Sequence, residues 1–238
     1  MAEAIVFGVG ASAGLGGALC RRFAREGFGV LAAGRTQSKL DAVVAEITRA
    51  GGRASSILCD VTNESDVRKT FEAAGAVPKA VVYNAGNAAI RPLLEMDVAF
   101  FEDVWRVGCL GGFLVGREAA RRMVPAGGGA LLFTGATASV RARPPFIAFA
   151  SAKAALRALA HGLAREFGPQ GLHVAHVIVD GMIEGDQLLS RFPGAKERAG
   201  EDGMLHPDAI ADAFFALYVQ PRSAWTLELD LRPYKESF

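Results

Sequence analysis

Seven short apolar runs, at residues 4–9, 29–33, 54–58, 80–83, 130–133, 174–179 and 225–231, alternate with longer stretches of helical period at 15–26, 38–50, 64–74, 96–123, 146–167 and 206–219. The runs are continuously apolar rather than alternating, which implies burial on both faces. A parallel sheet covered by helices on either side supplies that environment. The succession predicts one doubly wound α/β domain over residues 1–238 with a mainly parallel seven-stranded sheet, the tail 223–233 forming an edge strand. Residues 184–203 lack periodicity, are polar and carry several glycines. They read, together with the residues up to 205, as a substrate-side loop after the sixth strand.

Composition narrows the partners. With 26 basic and 25 acidic residues the chain has almost no net charge, so nucleic acid and anionic membranes are not expected, and the partners expected are small molecules and copies of the chain itself. Cys20, Cys59 and Cys109 are widely spaced and odd in number, which suggests a reducing, cytoplasmic setting rather than a disulfide frame. No window is apolar for the length of a membrane span, and no His, Cys and carboxylate group has metal spacing.

The first chemical signal is Gly8-Val9-Gly10-Ala11-Ser12-Ala13-Gly14-Leu15-Gly16. It follows a buried run and opens a helix, so backbone can approach a pyrophosphate while the helix N-terminus offers unpaired N–H groups. The bland alternative is a tight turn with no ligand. At the end of the second run, Ala33-Gly34-Arg35-Thr36 places an arginine where an NAD-selective site would carry a carboxylate. Arg35 therefore favours NADP(H) over NAD(H), the alternative being a solvated loop arginine.

With Cys59-Asp60-Val61 and Asn84-Ala85-Gly86 added, the chain resembles the short-chain dehydrogenase/reductase family over nearly its whole length. The resemblance implies a Rossmann-type domain in which Gly10, Ser12, Ala13, Gly14, Leu15 and Gly16 cradle the pyrophosphate. Arg35 and Thr36 then meet the adenosine ribose, Asp60 and Val61 the adenine, and Asn84, Ala85 and Gly86 line the ribose side. Lys153 would bind the nicotinamide ribose, and Gly181 and Ile183 the carboxamide end. Members reduce carbonyls with a tyrosine as acid, a lysine four residues later, a serine after the fifth strand and an asparagine on the fourth helix.

Here the lysine is Lys153, but Phe149 stands in the tyrosine position, Ala136 in the serine position and Cys109 in the asparagine position. Phenylalanine has no proton to give, and loss of a positioned acid typically lowers rates by about 10²–10⁴. Three readings follow: a substrate that needs no such proton, such as an imine or activated enone; a replacement donor, with Thr137 and Ser139 as the candidate hydroxyls; or a catalytically silent nucleotide-binding sensor or partner protein.

Other residues leave alternatives open. Lys153, Arg157, His161 and Arg165 recur every four residues and could form a solvated basic face, although Lys153 borders the apolar stripe of its helix. Arg141 and Arg143 suggest an anionic substrate, whereas Asp180, in the place of the family's proline, and Glu184 suggest a cationic one. His176 reads as a hydrogen-bonded core residue. The resemblance also implies a homodimer or homotetramer.

Overall fold

The computed structural model describes residues 3–86 and 88–236. Seven strands form one sheet in the order β3-β2-β1-β4-β5-β6-β7. They are β1 Glu3–Phe7, β2 Gly29–Gly34, β3 Arg53–Leu58, β4 Ala80–Tyr83, β5 Gly129–Thr134, β6 Leu172–Val179 and β7 Glu228–Leu231. Every neighbouring pair is parallel. Along β1 the side chains alternate between two cores: Ala4 and Val6 enter one, Ile5 and Phe7 the other. Helices α1 (Leu15–Arg25), α2 (Gln37–Arg49) and α9 (Pro207–Tyr218) cover the first core. Helices α3 (Glu64–Ala73), α5 (Gly111–Met123) and α6 (Ile147–Phe167) cover the second. The strand order reverses between β1 and β4, so a crevice opens at their carboxyl ends, where ligands bind in open sheets of this kind.

Three segments differ from the sequence expectation. The single helix expected over 96–123 is α4 (Val98–Trp105), then a π turn (Arg106–Leu110), then α5. Its start is set by Asp97, whose side chain accepts the Phe100 N–H at 2.7 Å. The π turn has a local cause: the buried Tyr83 hydroxyl donates to the Val107 carbonyl, and the glycines make room for it. A Cβ on Gly111 would lie 2.9 Å from Val61 Cγ2 and also strike the Tyr83 hydroxyl. The segment expected as an aperiodic loop carries two short helices, α7 (Asp186–Arg191) and α8 (Ala195–Ala199). An Ile183–Leu205 bridge closes its base. The edge strand begins at Glu228, because Trp225 stacks on His173 at 4.8 Å and Gln220 binds Thr226.

Among the described residues no helix is long and apolar enough to cross a membrane, and no group of His, Cys and acidic residues is arranged to hold a metal ion. The Tyr83 bond yields a stability prediction. Tyr83→Phe leaves the Val107 carbonyl without its partner inside the protein, and urea unfolding should show a loss of about 1–3 kcal/mol.

Candidate active site

The glycine-rich segment is bent back on the sheet. The Gly8 and Val9 N–H groups both donate to the Ala33 carbonyl, at 2.9 and 3.0 Å. A Cβ on Gly16 would sit 2.9 Å from Val9 Cα, so only glycine lets α1 approach β1 this closely. At Gly10, by contrast, a Cβ would meet nothing within 4 Å; it would project into the open crevice. Gly14 caps α1 without a side-chain bond, and the first bond of that turn runs from the Ala18 N–H to the Gly14 carbonyl. The N–H groups of Leu15, Gly16 and Gly17 are thus unpaired among the described residues, as an anion at a helix N-terminus requires. The Ser12 hydroxyl donates to Glu46, and Arg21 binds the Ser12 carbonyl at 2.7 Å. That side chain therefore fastens the loop to α1 and α2. Ala13 reaches the other way, its carbonyl lying 3.7 Å from where a Cβ on Gly185 would be.

At the adenosine end Arg35 and Thr36 are exposed on the turn between β2 and α2. Arg35 makes no hydrogen bond or salt bridge among the described residues. Asp60 accepts from the Thr62 N–H at 2.9 Å and the Thr62 hydroxyl at 2.8 Å, both through Oδ1. The Thr62 N–H bond, with help from the Thr62 hydroxyl and from the Arg35 and Arg106 charges, holds the Asp60 carboxyl below the usual carboxylate range. Its Oδ2 accepts no hydrogen bond among the described residues. Val61 is buried beneath this edge.

Asn84 ties the centre of the crevice together. Its Nδ2 donates to the Gly8 carbonyl at 3.3 Å and its Oδ1 accepts from Thr134 Oγ1 at 3.1 Å. Ala85 is packed against Gly8, and Gly86, at φ 141°, leaves room for the Lys153 side chain, 3.4 Å from where a Cβ would sit. Lys153 is 4 % exposed and gives one hydrogen to the Thr134 carbonyl at 2.7 Å. Burial pushes its ammonium down to about 8. The Phe149 ring centroid is 5.8 Å from Lys153 Nζ.

The two candidate hydroxyls are both engaged. Ala136, in the serine position, donates its N–H to Ser139 Oγ at 3.1 Å. Ser139 is 4 % exposed and lies 3.3 Å from His176 Nε2, so it faces inward rather than toward the crevice. His176 Nδ1 lies 3.1 Å from Glu228. Burial pushes the His176 imidazole down to about 4 despite that carboxylate. Thr137 donates to Asp180 Oδ1 at 2.6 Å.

Asp180, 1 % exposed, is also bound by Arg141 at 2.9 and 2.7 Å and by Arg232 at 3.0 Å. The arginine and the carboxylate that pointed to opposite substrates therefore neutralise each other. Glu184 is likewise paired, with Lys196 and, at 2.7 Å, with His206. Of the basic row on α6, Arg165 is exposed and the rest is engaged. Arg157 grips Glu228 with two bonds, at 2.6 and 2.7 Å, and His161 reaches the same carboxylate at 3.1 Å. The Arg157 bonds hold the Glu228 carboxyl down at about 2.

Beyond β6, Gly181 adopts φ 149°, and a Cβ there would lie 2.8 Å from Pro233. The Ile183 N–H is uncommitted among the described residues, because the bridge to Leu205 uses the Met182 carbonyl and the Glu184 N–H. Sequence reasoning did not identify Tyr83, Glu228 or Arg232. Only Asp180, an acid replacing proline, signalled that a buried cation was needed.

The open floor at Gly10, the unpaired helix N–H groups, the free arginine beside Asp60 and a buried ammonium together fit a dinucleotide. They define a nucleotide-binding domain of Rossmann type. The family model for short chain dehydrogenases matches residues 4–190, and the chain belongs to that family. A short-chain dehydrogenase from Rhodopseudomonas palustris is 40% identical, with TM-score 0.83, covering 98% of this chain and 99% of its own. An alcohol dehydrogenase from Thermococcus sibiricus, complexed with 5-hydroxy-NADP, is 25% identical with TM-score 0.85 over 100% of this chain and 99% of its own. The uncharacterized oxidoreductase YuxG of Bacillus subtilis is 34% identical over 211 residues, 86% of this chain. The match spans only 30% of the length of YuxG.

Lys153 supplies the second prediction. The displacement of its ammonium from 10.5 to about 8 corresponds to roughly 3 kcal/mol against the charged form. Between those values the unfolded chain binds the proton and the folded chain does not, so this group makes stability rise with pH through that window. Lys153→Met should raise stability by about 1–3 kcal/mol at pH 7, and the gain should fade as the pH approaches 10.5. Urea unfolding at a series of pH values checks both.

Proposed function

We propose that the protein is an NADP(H)-dependent oxidoreductase acting on a small molecule, with an active site in which Phe149, Ala136 and Cys109 replace the usual polar groups. Bound NADPH would supply hydride. The Leu15, Gly16 and Gly17 N–H groups would hold its pyrophosphate, Asp60 its adenine, Arg35 its 2′-phosphate, Lys153 its nicotinamide ribose, and Ile183 its carboxamide. The observation that carries this reading is Lys153, a buried ammonium with two hydrogens uncommitted beside Gly86, which a structural lysine would have no reason to keep. The NADP analogue bound to the Thermococcus enzyme supports the choice of cofactor, as does the unpartnered Arg35. Three buried free cysteines accord with a cytoplasmic setting.

The substrate classes that suit this cleft are an imine or activated enone, which asks less of an acid, or a carbonyl protonated by a group other than a tyrosine. Stereospecific hydride loss from labelled NADPH in the presence of ketones, enones and imines tests the reading. Arg35→Ala should weaken NADPH about 10- to 100-fold, the worth of a charge-assisted phosphate contact, and leave NADH nearly unchanged. Tight cofactor binding with no hydride loss to any compound would instead favour a silent nucleotide-binding protein.

We further propose a homo-oligomer built on α4. Val98, Phe101 and Trp105 recur at helical spacing on this helix and stand exposed, with Leu94 just before them 99 % exposed. A groove of about 570 Å³ between α5 and α6 includes Phe113, Leu159, Leu163 and Phe167 in its lining. An apolar surface of this extent marks an association site. Sedimentation should show a dimer or tetramer that Phe101→Asp with Trp105→Asp converts to monomer.

A further inference from the structure

We propose that Lys153 is itself the acid of the reaction: its ammonium delivers the proton to the substrate oxygen as hydride reaches the adjoining carbon. This rests on the oxidoreductase reading above and assigns the donor that reading leaves open.

Phe149 has no hydrogen to exchange. Thr137 has one, directed at Asp180 Oδ1 at 2.6 Å. Arg141 and Arg232 flank that carboxylate, so it can only accept, and Thr137 presents lone pairs to anything else. Ser139 already accepts the Ala136 N–H, and its hydrogen is directed at His176 Nε2. The imidazole is neutral, with its own hydrogen on the Glu228 carboxylate. The Tyr83 hydroxyl is committed to Val107 and fully buried. The Cys109 thiol is buried, and burial pushes it up, away from donation. Among these groups of the described residues, Lys153 keeps ammonium hydrogens to spare: three on Nζ, one of them on the Thr134 carbonyl.

Its surroundings favour release. The elements packed about Nζ bring the Thr134 carbonyl from β5, Gly86 from the turn after β4, the Phe149 ring from α6, and His176 from β6, which feels the lysine charge. Cys109 lies on the π turn that packs on Ala152 through Gly108. Among the described residues no carboxylate pairs with the ammonium, and burial alone brings it to about 8. Such an acid is protonated at neutral pH yet gives up its proton readily. The phenyl ring at position 149 itself puts no hydroxyl beside Nζ, and a single water suffices where direct contact falls short.

The step balances. The carbonyl carbon takes hydride from NADPH, its oxygen takes the Lys153 proton, and the products are an alcohol, NADP⁺ and a neutral lysine that regains a proton from water. A protonated imine carries its own proton and needs no such donor.

The test uses the intact protein with NADPH and two probes, an aryl trifluoromethyl ketone and a protonated cyclic imine. Lys153→Arg keeps a cation with hydrogens to donate but cannot deprotonate. Whatever the variant loses in NADPH binding is shared by both probes, so its ketone reduction should fall about 10²–10⁴ further than its imine reduction. Calorimetry in buffers of different ionisation heat gives a readout independent of turnover. NADPH hydroxyls that accept from Nζ should draw protons onto the parent protein near pH 8 to 9, and none onto Lys153→Arg. Ketone reduction by Lys153→Arg at the parent rate, or a parent ketone rate flat from pH 7 to 10, overturns the proposal. So does a parent protein that binds NADPH and reduces the imine but never the ketone, which leaves the oxidoreductase reading standing. Failure to bind NADPH at all sinks both.

Discussion

The structure is organised around an ammonium that has no counter-ion among the described residues, set at the carboxyl ends of β4 and β5. Charge in such a place is disfavoured by desolvation, and the fold must hold it there against that tendency. Lys153 is carried by α6, which is anchored farther along by Arg157 and His161 on Glu228 of the edge strand. The helix is thus fixed at its middle by a carboxylate clamp and, nearer its start, by the Thr134 carbonyl. Thr134 in turn gives its hydroxyl to Asn84, which binds Gly8. A change at the edge strand would therefore reach the glycine-rich loop through four consecutive polar contacts.

Two carboxylate systems, one buried at Asp180 and one half-buried at Glu228, define what the crevice can offer a ligand. Asp180 joins the turn after β5, the end of β6 and the segment after β7, while Glu228 joins α6, β6 and β7. Both are acceptors, and both take hydrogens that would otherwise face the crevice, directly from Thr137 and through His176 from Ser139. Their structural role and their chemical consequence are the same fact: each clamp that rigidifies the site also withdraws a hydroxyl from proton chemistry. Rigid placement of this sort is what a reductase site requires.

Most of the architecture is legible in the amino-acid sequence because continuous apolar runs and a glycine-opened helix are local signals. The seven strands, their parallel pairing and the helix layers follow from them. The π turn was hidden because its cause is Tyr83, 24 residues away from Val107 in sequence. In the site, Lys153 and Phe149 sit four residues apart on one helix, and the Phe149 ring lies 5.8 Å from Lys153 Nζ. The inward turn of Ser139 was not legible. It depends on His176, 37 residues on, and on Glu228 beyond that. The opposed hints from Arg141 and Asp180 were real charges read separately, and the sequence could not show that they meet.

A phenyl ring at position 149 bears on the energetics of the lysine as well as on the supply of protons. Beyond the Thr134 carbonyl at 2.7 Å, the group beside the ammonium is an aromatic ring at 5.8 Å, too distant and too weak to replace hydration. The charge is therefore held in a state that any approaching acceptor will relieve. A dinucleotide ribose, a water or a developing alkoxide each presents such an oxygen, and each would bind more favourably for meeting an under-solvated donor. The oxygen that gains negative charge during reaction gains most, since the interaction with an ammonium strengthens as that charge develops. The crevice is in this way polarised toward one atom of an approaching ligand, with the effect concentrated on Nζ of Lys153.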